Sequence, residues 1–138
     1  MFQRAGKIKD VAGRAEWSMR HTYCACCGHS GTFGRWLECH HLCGGAGRSD
    51  EPCNYLRLCN RCHMLAEGHQ IRENGVVLPN LSMGATLWLK RFVDPDEYKP
   101  ERLAELLHEN LPDLEVPPAI LLTERLQRRP WEPLPIAV

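Results

Sequence analysis

The period of apolar and polar positions changes several times along the chain, and each change predicts an element. Residues 1–23 are polar and basic, with Phe2, Ile8, Val11, Trp17 and Met19 spread among them. Ile8, Val11 and Ala15 fit one face of a short helix, but Gly6 and Gly13 weaken it, so the expectation is a loose arm that becomes ordered near Trp17. From Thr32 to His40 the period falls toward two, with Phe33, Leu37 and Cys39 on one face and Thr32, Glu38 and His40 on the other, which predicts a strand. Gly44-Gly45-Ala46-Gly47-Arg48-Ser49-Asp50 reads as a flexible turn, and residues 54–58 as a short returning strand. A helix is expected from Asn60 or Arg61 to about Ala66 or Glu67, ended by Gly68.

Asn74-Gly75 between short apolar runs predicts a small hairpin over residues 71–78. Ser82 is placed to cap a helix through about Val93, with Met83, Leu87 and Phe92 inward. Pro100 suits the first turn of a further helix, whose Leu103, Leu106, Leu107 and Leu111 recur at helical spacing and which Pro112 ends. Six prolines between Pro112 and Val138 predict an extended tail, broken by a short helix around residues 120–127. The four tryptophans, Trp17, Trp36, Trp88 and Trp131, are expected as core or interface anchors. The chain therefore divides into a basic arm at 1–22, a central core at 23–69, a supporting hairpin and helices at 70–111, and a proline-rich tail at 112–138.

A chain of 138 residues makes one domain with a modest core, and a loop-rich domain of that size needs fastening. Eight cysteines and seven histidines can supply it, as disulfides or as metal ligands according to compartment. MFQRAGKIKD has no apolar signal-like region, and the longest aliphatic run, Ala119 to Leu122, falls far short of the ~20 residues of a membrane span. The reading is a cytoplasmic chain with metal-bound thiolates and no membrane partner. The net charge of zero hides an asymmetry, since residues 1–72 carry ten Lys/Arg against six Asp/Glu and residues 73–138 carry seven against eleven. A basic front half suits phosphates, and Arg35, Arg48, Arg57 and Arg61 are the candidates to contact them.

Cys24 and Cys27, followed by Gly28, have the spacing of a metal knuckle, and Cys59 and Cys62 repeat it. Together they predict a closed site of four thiolates for structural Zn2+. Cys26 is the odd thiol, and Cys39, Cys43 and Cys53 are expected as buried free thiols. Between and beside the knuckles stand His40, His41, Asn54 and His63. Phosphodiester hydrolysis needs an activated water, a cation to neutralise developing charge, and fixed geometry. Imidazole titrates near neutral pH, so His41 can act as general base. His40 and His63 can hold one divalent cation, and Asn54 can bond backbone near His41 to aim it. Adjacent strand residues face opposite ways, so the doublet needs a strand end or bulge to serve one pocket.

In the order His40-His41, Asn54, then Leu58-Cys59-Asn60-Arg61-Cys62-His63, the stretch from Tyr23 to Gly68 resembles the HNH (ββα-metal) endonucleases of the zinc-knuckle subtype, frequent in phages and mobile elements. The resemblance implies a small α+β fold: a ββα-metal (His-Me finger) core stapled by the four-cysteine zinc site, with additional C-terminal helices. It implies a DNA endonuclease of a bacterial or phage-infected cell, with His40 and His63 as catalytic metal ligands, His41 as base and Asn54 as orienting residue. Many members have Asp where this chain has His40, and imidazole is the softer ligand, so Mn2+, Ni2+ or Zn2+ is expected to bind as well as Mg2+. Glu67, one helical turn beyond His63, could complete the sphere, but a solvent-facing acid is the preferred reading. The paired knuckles and the Leu-Cys-Asn-x-Cys run also look similar to phage recombination endonucleases that resolve branched DNA. A homodimer is among the oligomeric states left open. The competing reading is a zinc-ribbon module that binds nucleic acid without cutting it, in which the histidine doublet is idle.

Overall fold

Leu37–His41 (β1) and Tyr55–Cys59 (β2) pair antiparallel, with Leu37 opposite Cys59 and His41 opposite Tyr55, in a computed structural model that describes residues 7–128 and 130. The second strand runs straight into a helix, Asn60–Ala66 (α2). This hairpin and helix carry every residue of the central motif. The chain as a whole is a small α+β structure of five helices and two small antiparallel sheets among the described residues.

Four of the nine residues expected in β1, Leu37 to His40, lie in it, and the strand runs on to His41. Residues 32–35 instead close a tight turn, in which Thr32 and Arg35 exchange both backbone hydrogen bonds at 3.0 Å. Phe33 sits fully exposed at the tip, and Trp36 beside it is also exposed, which takes it out of the core. Turn closure consumes the backbone groups that a longer strand would have paired.

The N-terminal segment is not loose from Val11 onward: Val11–Arg20 forms a helix (α1). Asp10 caps it by accepting from the Gly13 amide at 2.9 Å, and a Cβ at position 13 would collide with that carboxylate. The glycine that weakens the sequence pattern is therefore what admits the cap. Trp17 anchors the helix, being 3% exposed.

After α2, Arg72–Glu73 (β3) and Val76–Val77 (β4) form the expected hairpin, with positive φ at both Asn74 and Gly75. Met83–Val93 (α3) begins at Ser82, whose hydroxyl accepts from the Ala85 amide at 3.1 Å. Its inward face is Ala85, Leu87, Leu89 and Lys90. Phe92 lies outside, contrary to expectation, stacked on Trp88 and covered by the Arg125 guanidinium 4.7 Å from its ring centre. Pro100–Leu107 (α4) stops short of Pro112, because His108 takes a left-handed conformation at φ 61° and ends the helical hydrogen bonding.

The short helix expected around residues 120–127 is present as Ala119–Arg128 (α5), one residue longer at each end. Leu121 is fully buried, and Arg128 donates to the Cys27 carbonyl at 3.0 Å, so α5 packs on the first knuckle. Trp131 and the last prolines lie outside the described residues. The core collects Leu58, Leu65, Leu87, Leu89, Leu103 and Leu121, each with 0% exposure. At about 2 kcal/mol per buried leucine, such a core is worth having but small, and cross-linking still matters. No helix among the described residues is long and apolar enough to cross a membrane.

Candidate functional site

The two ends of the hairpin and helix gather two different donor sets. At one end Cys24, Cys27, Cys59 and Cys62 converge, all four buried, with sulfur atoms within 4.8 Å of one another. Cys59 closes β2 and caps α2, its sulfur accepting from the Cys62 amide at 3.5 Å. The first knuckle is tied to β2 by the Ala25 amide, which donates to the Arg57 carbonyl at 2.8 Å. Cys27 and Cys59 have sulfurs 3.7 Å apart. A tetrahedral ion with metal–sulfur bonds of about 2.3 Å requires an edge of about 3.8 Å, which the Cys27–Cys59 pair matches.

Cys27 and Cys59 are biased toward thiolate, whereas Cys24 and Cys62 are pushed up. Hydrogen bonds from neighbouring cysteines, Cys24 first, bring Cys27 down to about 6 and draw Cys59 below the ordinary thiol value, while burial keeps Cys24 protonated. Arg35 donates to the sulfurs of Cys27 and Cys59 at 3.2 and 3.5 Å, and Arg61 to that of Cys62 at 3.8 Å. Glu124 of α5 accepts from both arginines, at 3.4 Å from Arg35 and 2.9 Å from Arg61. Two of the four expected phosphate-contact arginines are thus committed to the sulfur cluster. Arg57 donates to the His21 carbonyl at 3.0 Å, and Arg48 alone of the four is exposed.

At the other end His40, His63 and Glu67 converge, again with one donor atom each inside 4.8 Å. Strand alternation turns His40 toward α2, where its ring meets that of His63 edge-on with centres 5.0 Å apart. His63 and Glu67 are four residues apart on α2 and share a face. The Glu67 carboxylate lies 3.2 Å from His63 Nε2 and 3.7 Å from His40 Nδ1, so it is turned to the rings although its side chain is 55% exposed. Ligands about 2.1 Å from a common ion are about 3.0 to 3.4 Å apart, close to these spacings.

His40 Nδ1 is buried with no hydrogen-bond partner among the described residues. Burial, then the charges of His63 and His41, pushes the His40 imidazole down to about 3, so the ring is neutral and offers a lone pair. The Glu38 carboxylate accepts from His63 Nδ1 at 3.0 Å, so Nε2 is the ring nitrogen that faces Glu67. Glu38 was not singled out in the sequence, yet it shares the His40 face of β1 by simple alternation, and that signal was available.

His41, the last residue of β1, turns the other way. Its Nε2 lies 2.9 Å from Asp50 Oδ1. Burial lowers the His41 pKa more than that carboxylate raises it. Asp50 titrates below its ordinary value, because hydrogen bonds from His41 and the Asp10 amide and the charge of Arg14 together outweigh its burial. A carboxylate only accepts, so His41 Nε2 is the donor in this contact. No spacing in the sequence marks Asp50, an isolated acid at the end of a glycine-rich turn.

Asn54 is fully buried and spends its amide on the turn after His41. Its Oδ1 accepts from the Cys43 amide at 2.7 Å, and its Nδ2 donates to the carbonyls of Cys43 and Ser49 at 3.1 and 3.0 Å. The backbone adds a bond from the Leu42 amide to the Asn54 carbonyl at 2.8 Å. The expected aiming role thus has a geometric basis. An open cleft of about 200 Å³ is lined by His40, His41, Gly44 and Glu67, with Met83 and Thr86 of α3 also on its wall.

His69 is exposed and outside both donor sets, and Cys39, Cys43 and Cys53 belong to neither. No family model, curated protein or solved structure matches the chain.

Proposed function

We propose that this chain is a metal-dependent DNA endonuclease of the HNH kind, hydrolysing phosphodiester bonds, with a structural zinc at the four cysteines. The observation that carries the reading is His40 Nδ1, a buried, unpartnered, neutral nitrogen facing His63 and the Glu67 carboxylate at metal-ligand spacings. A buried polar atom left without a partner is unfavourable by about 1–3 kcal/mol, and a cation between these three groups removes that penalty. The residues in family order, His40-His41, Asn54 and His63, support the same assignment.

In this reading His40, His63 and Glu67 hold one divalent cation, Mg2+, Mn2+ or Ni2+. When bound it neutralises charge on the phosphate and the leaving oxygen. His41 supplies the proton acceptor: its Nε2–H is engaged by Asp50, so the lone pair of Nδ1 takes the proton of the attacking water. Asn54 keeps the turn after His41 from drifting, which preserves the line of attack. Glu38 keeps His63 in the tautomer that presents Nε2. Arg48, exposed and near enough for its charge to bear on His41, is the arginine best placed to meet a phosphate.

The alternative, a zinc-ribbon module that binds nucleic acid without cutting, leaves Asp50, Glu38 and Glu67 turned to three histidines without a purpose. Supercoiled plasmid separates the two readings. Incubated with Mg2+, Mn2+ or Ni2+, the wild-type protein should convert it to nicked or linear form, and His41→Ala should not. A plasmid left intact by the wild type under all three metals overturns the nuclease reading.

A further inference from the structure

Asp50 lies outside the residues that the motif supplies, yet it is the sole side-chain hydrogen-bond partner of His41 among the described residues. We propose that Asp50 is the positioning residue of His41, and that the segment from Ile8 to Arg14 holds Asp50 in place for that task. The assignment of His41 as base rests on the nuclease reading; the Asp50–His41 arrangement does not.

An ionised carboxylate is an acceptor only, so the 2.9 Å contact forces the proton onto His41 Nε2 and leaves Nδ1 with its lone pair. A neutral imidazole otherwise chooses between two tautomers, and one of them presents a useless N–H to a water that must lose a proton. The ring plane is fixed as well, because Tyr55 meets it edge-on with centres 5.5 Å apart. Tautomer and orientation are thus both set before any substrate arrives.

The carboxylate is held from the N-terminal side. The Asp10 amide donates to Asp50 Oδ2 at 2.9 Å, and Arg14 Nη1 donates to Oδ1 at 3.3 Å. The Asp50 amide donates to the Ile8 carbonyl at 2.7 Å, and the Ile8 amide to Ser49 Oγ at 2.8 Å. Ser49 is in turn gripped through its carbonyl by Asn54 at 3.0 Å. Asp50 therefore stands between two supports: Asn54 inside the hairpin, and a segment some forty residues away in sequence. An isolated acid on a glycine-rich turn would not hold one rotamer without them.

The test reads the tautomer directly, by 15N NMR of the histidine rings in the full-length, zinc-loaded protein at about pH 8, with His41 assigned by difference against His41→Gln. The wild type should show His41 as the Nε2–H form. Asp50→Asn is nearly isosteric but sets an amide NH2 against fixed donors, and it should shift His41 to a mixed population. Arg14→Ala should give a smaller shift in the same direction. In the plasmid assay Asp50→Asn should lower kcat about 100-fold with KM changed by less than about twofold, the signature of a lost arrangement rather than lost binding. An Nδ1–H tautomer in the wild type overturns the proposal, as does an Asp50→Asn protein with unaltered tautomer and kcat. A wild-type protein that shows the Nε2–H form, loses it in Asp50→Asn, and cuts no DNA supports the arrangement and removes the nuclease reading alone.

Discussion

The two ends of one seven-residue helix make opposite kinds of donor set. At its start, four sulfurs are fully enclosed and have two guanidinium groups against them, so an ion there would have four protein ligands and no open side. Near its end, two imidazoles and a half-exposed carboxylate offer three ligands and face a cleft. Closed four-coordinate sites build structure, whereas three protein ligands with an open position leave room for water or substrate. The difference follows from hairpin register. Cys59 pairs with Leu37 at the end where β2 runs into α2, while His40 and His41 pair with Leu56 and Tyr55 where the strands open into the glycine-rich turn.

That contrast is broken most severely by attacking the sulfur end. Zinc bound to four cysteines contributes folding free energy on the order of 10 kcal/mol, as much as the whole stability of an ordinary small domain. Cys59→Ser should therefore unfold the chain at 25 °C, seen as loss of the helical circular dichroism signal together with zinc; a folded, zinc-free Cys59→Ser protein would remove the structural role. Asn54→Ala comes next, since it strands two carbonyls and an amide in a buried turn, and should lower stability by about 3 kcal/mol in urea titration. Retention of wild-type stability there would show that the turn is held by other means.

At the imidazole end the effects should fall on metal affinity and activity and spare the fold. His63→Ala should weaken binding of Mn2+ by more than about 100-fold in calorimetry while the melting temperature moves by only a few degrees, about 3 °C or less. Glu38→Gln keeps the ligands and loses only the carboxylate behind His63, and should weaken the same binding about tenfold. Equal losses of stability at both ends would erase the distinction between them.

The smallest effect is in acid. The Asp50 pKa is depressed in the folded chain, so its contribution to stability is present in full above the ordinary carboxylate value of about 4 and is lost as pH falls through the lower folded value. The melting-temperature gap between wild type and Asp50→Asn should therefore shrink from about pH 6 to about pH 3, and a constant gap would mean that the charge is not what matters.

Much of this was legible in the residues, and the misses share a cause. Periodicity located β2, α2, the Asn74-Gly75 hairpin and the Ser82 cap, because each depends on neighbours in sequence. The repeated knuckle spacing found the four clustering cysteines for the same reason. What escaped depends on long-range contacts: the docking of residues 8–14 on Ser49 and Asp50, the packing of α5 on the first knuckle, and the capture of Arg35 and Arg61 by sulfur and Glu124. Gly13 pointed the wrong way because a propensity scale does not see the Asp10 cap that needs it. Glu67 was read as a solvent acid because it is exposed and also turned to the rings, two facts that a sequence cannot combine.

The measurement closest to the central claim is anomalous diffraction from crystals of the zinc-purified protein soaked in Mn2+, with data collected at both metal edges. The account requires two peaks: zinc among Cys24, Cys27, Cys59 and Cys62, and manganese between His40, His63 and Glu67. A single peak at the cysteines, with the rings of His40 and His63 turned apart, would contradict it.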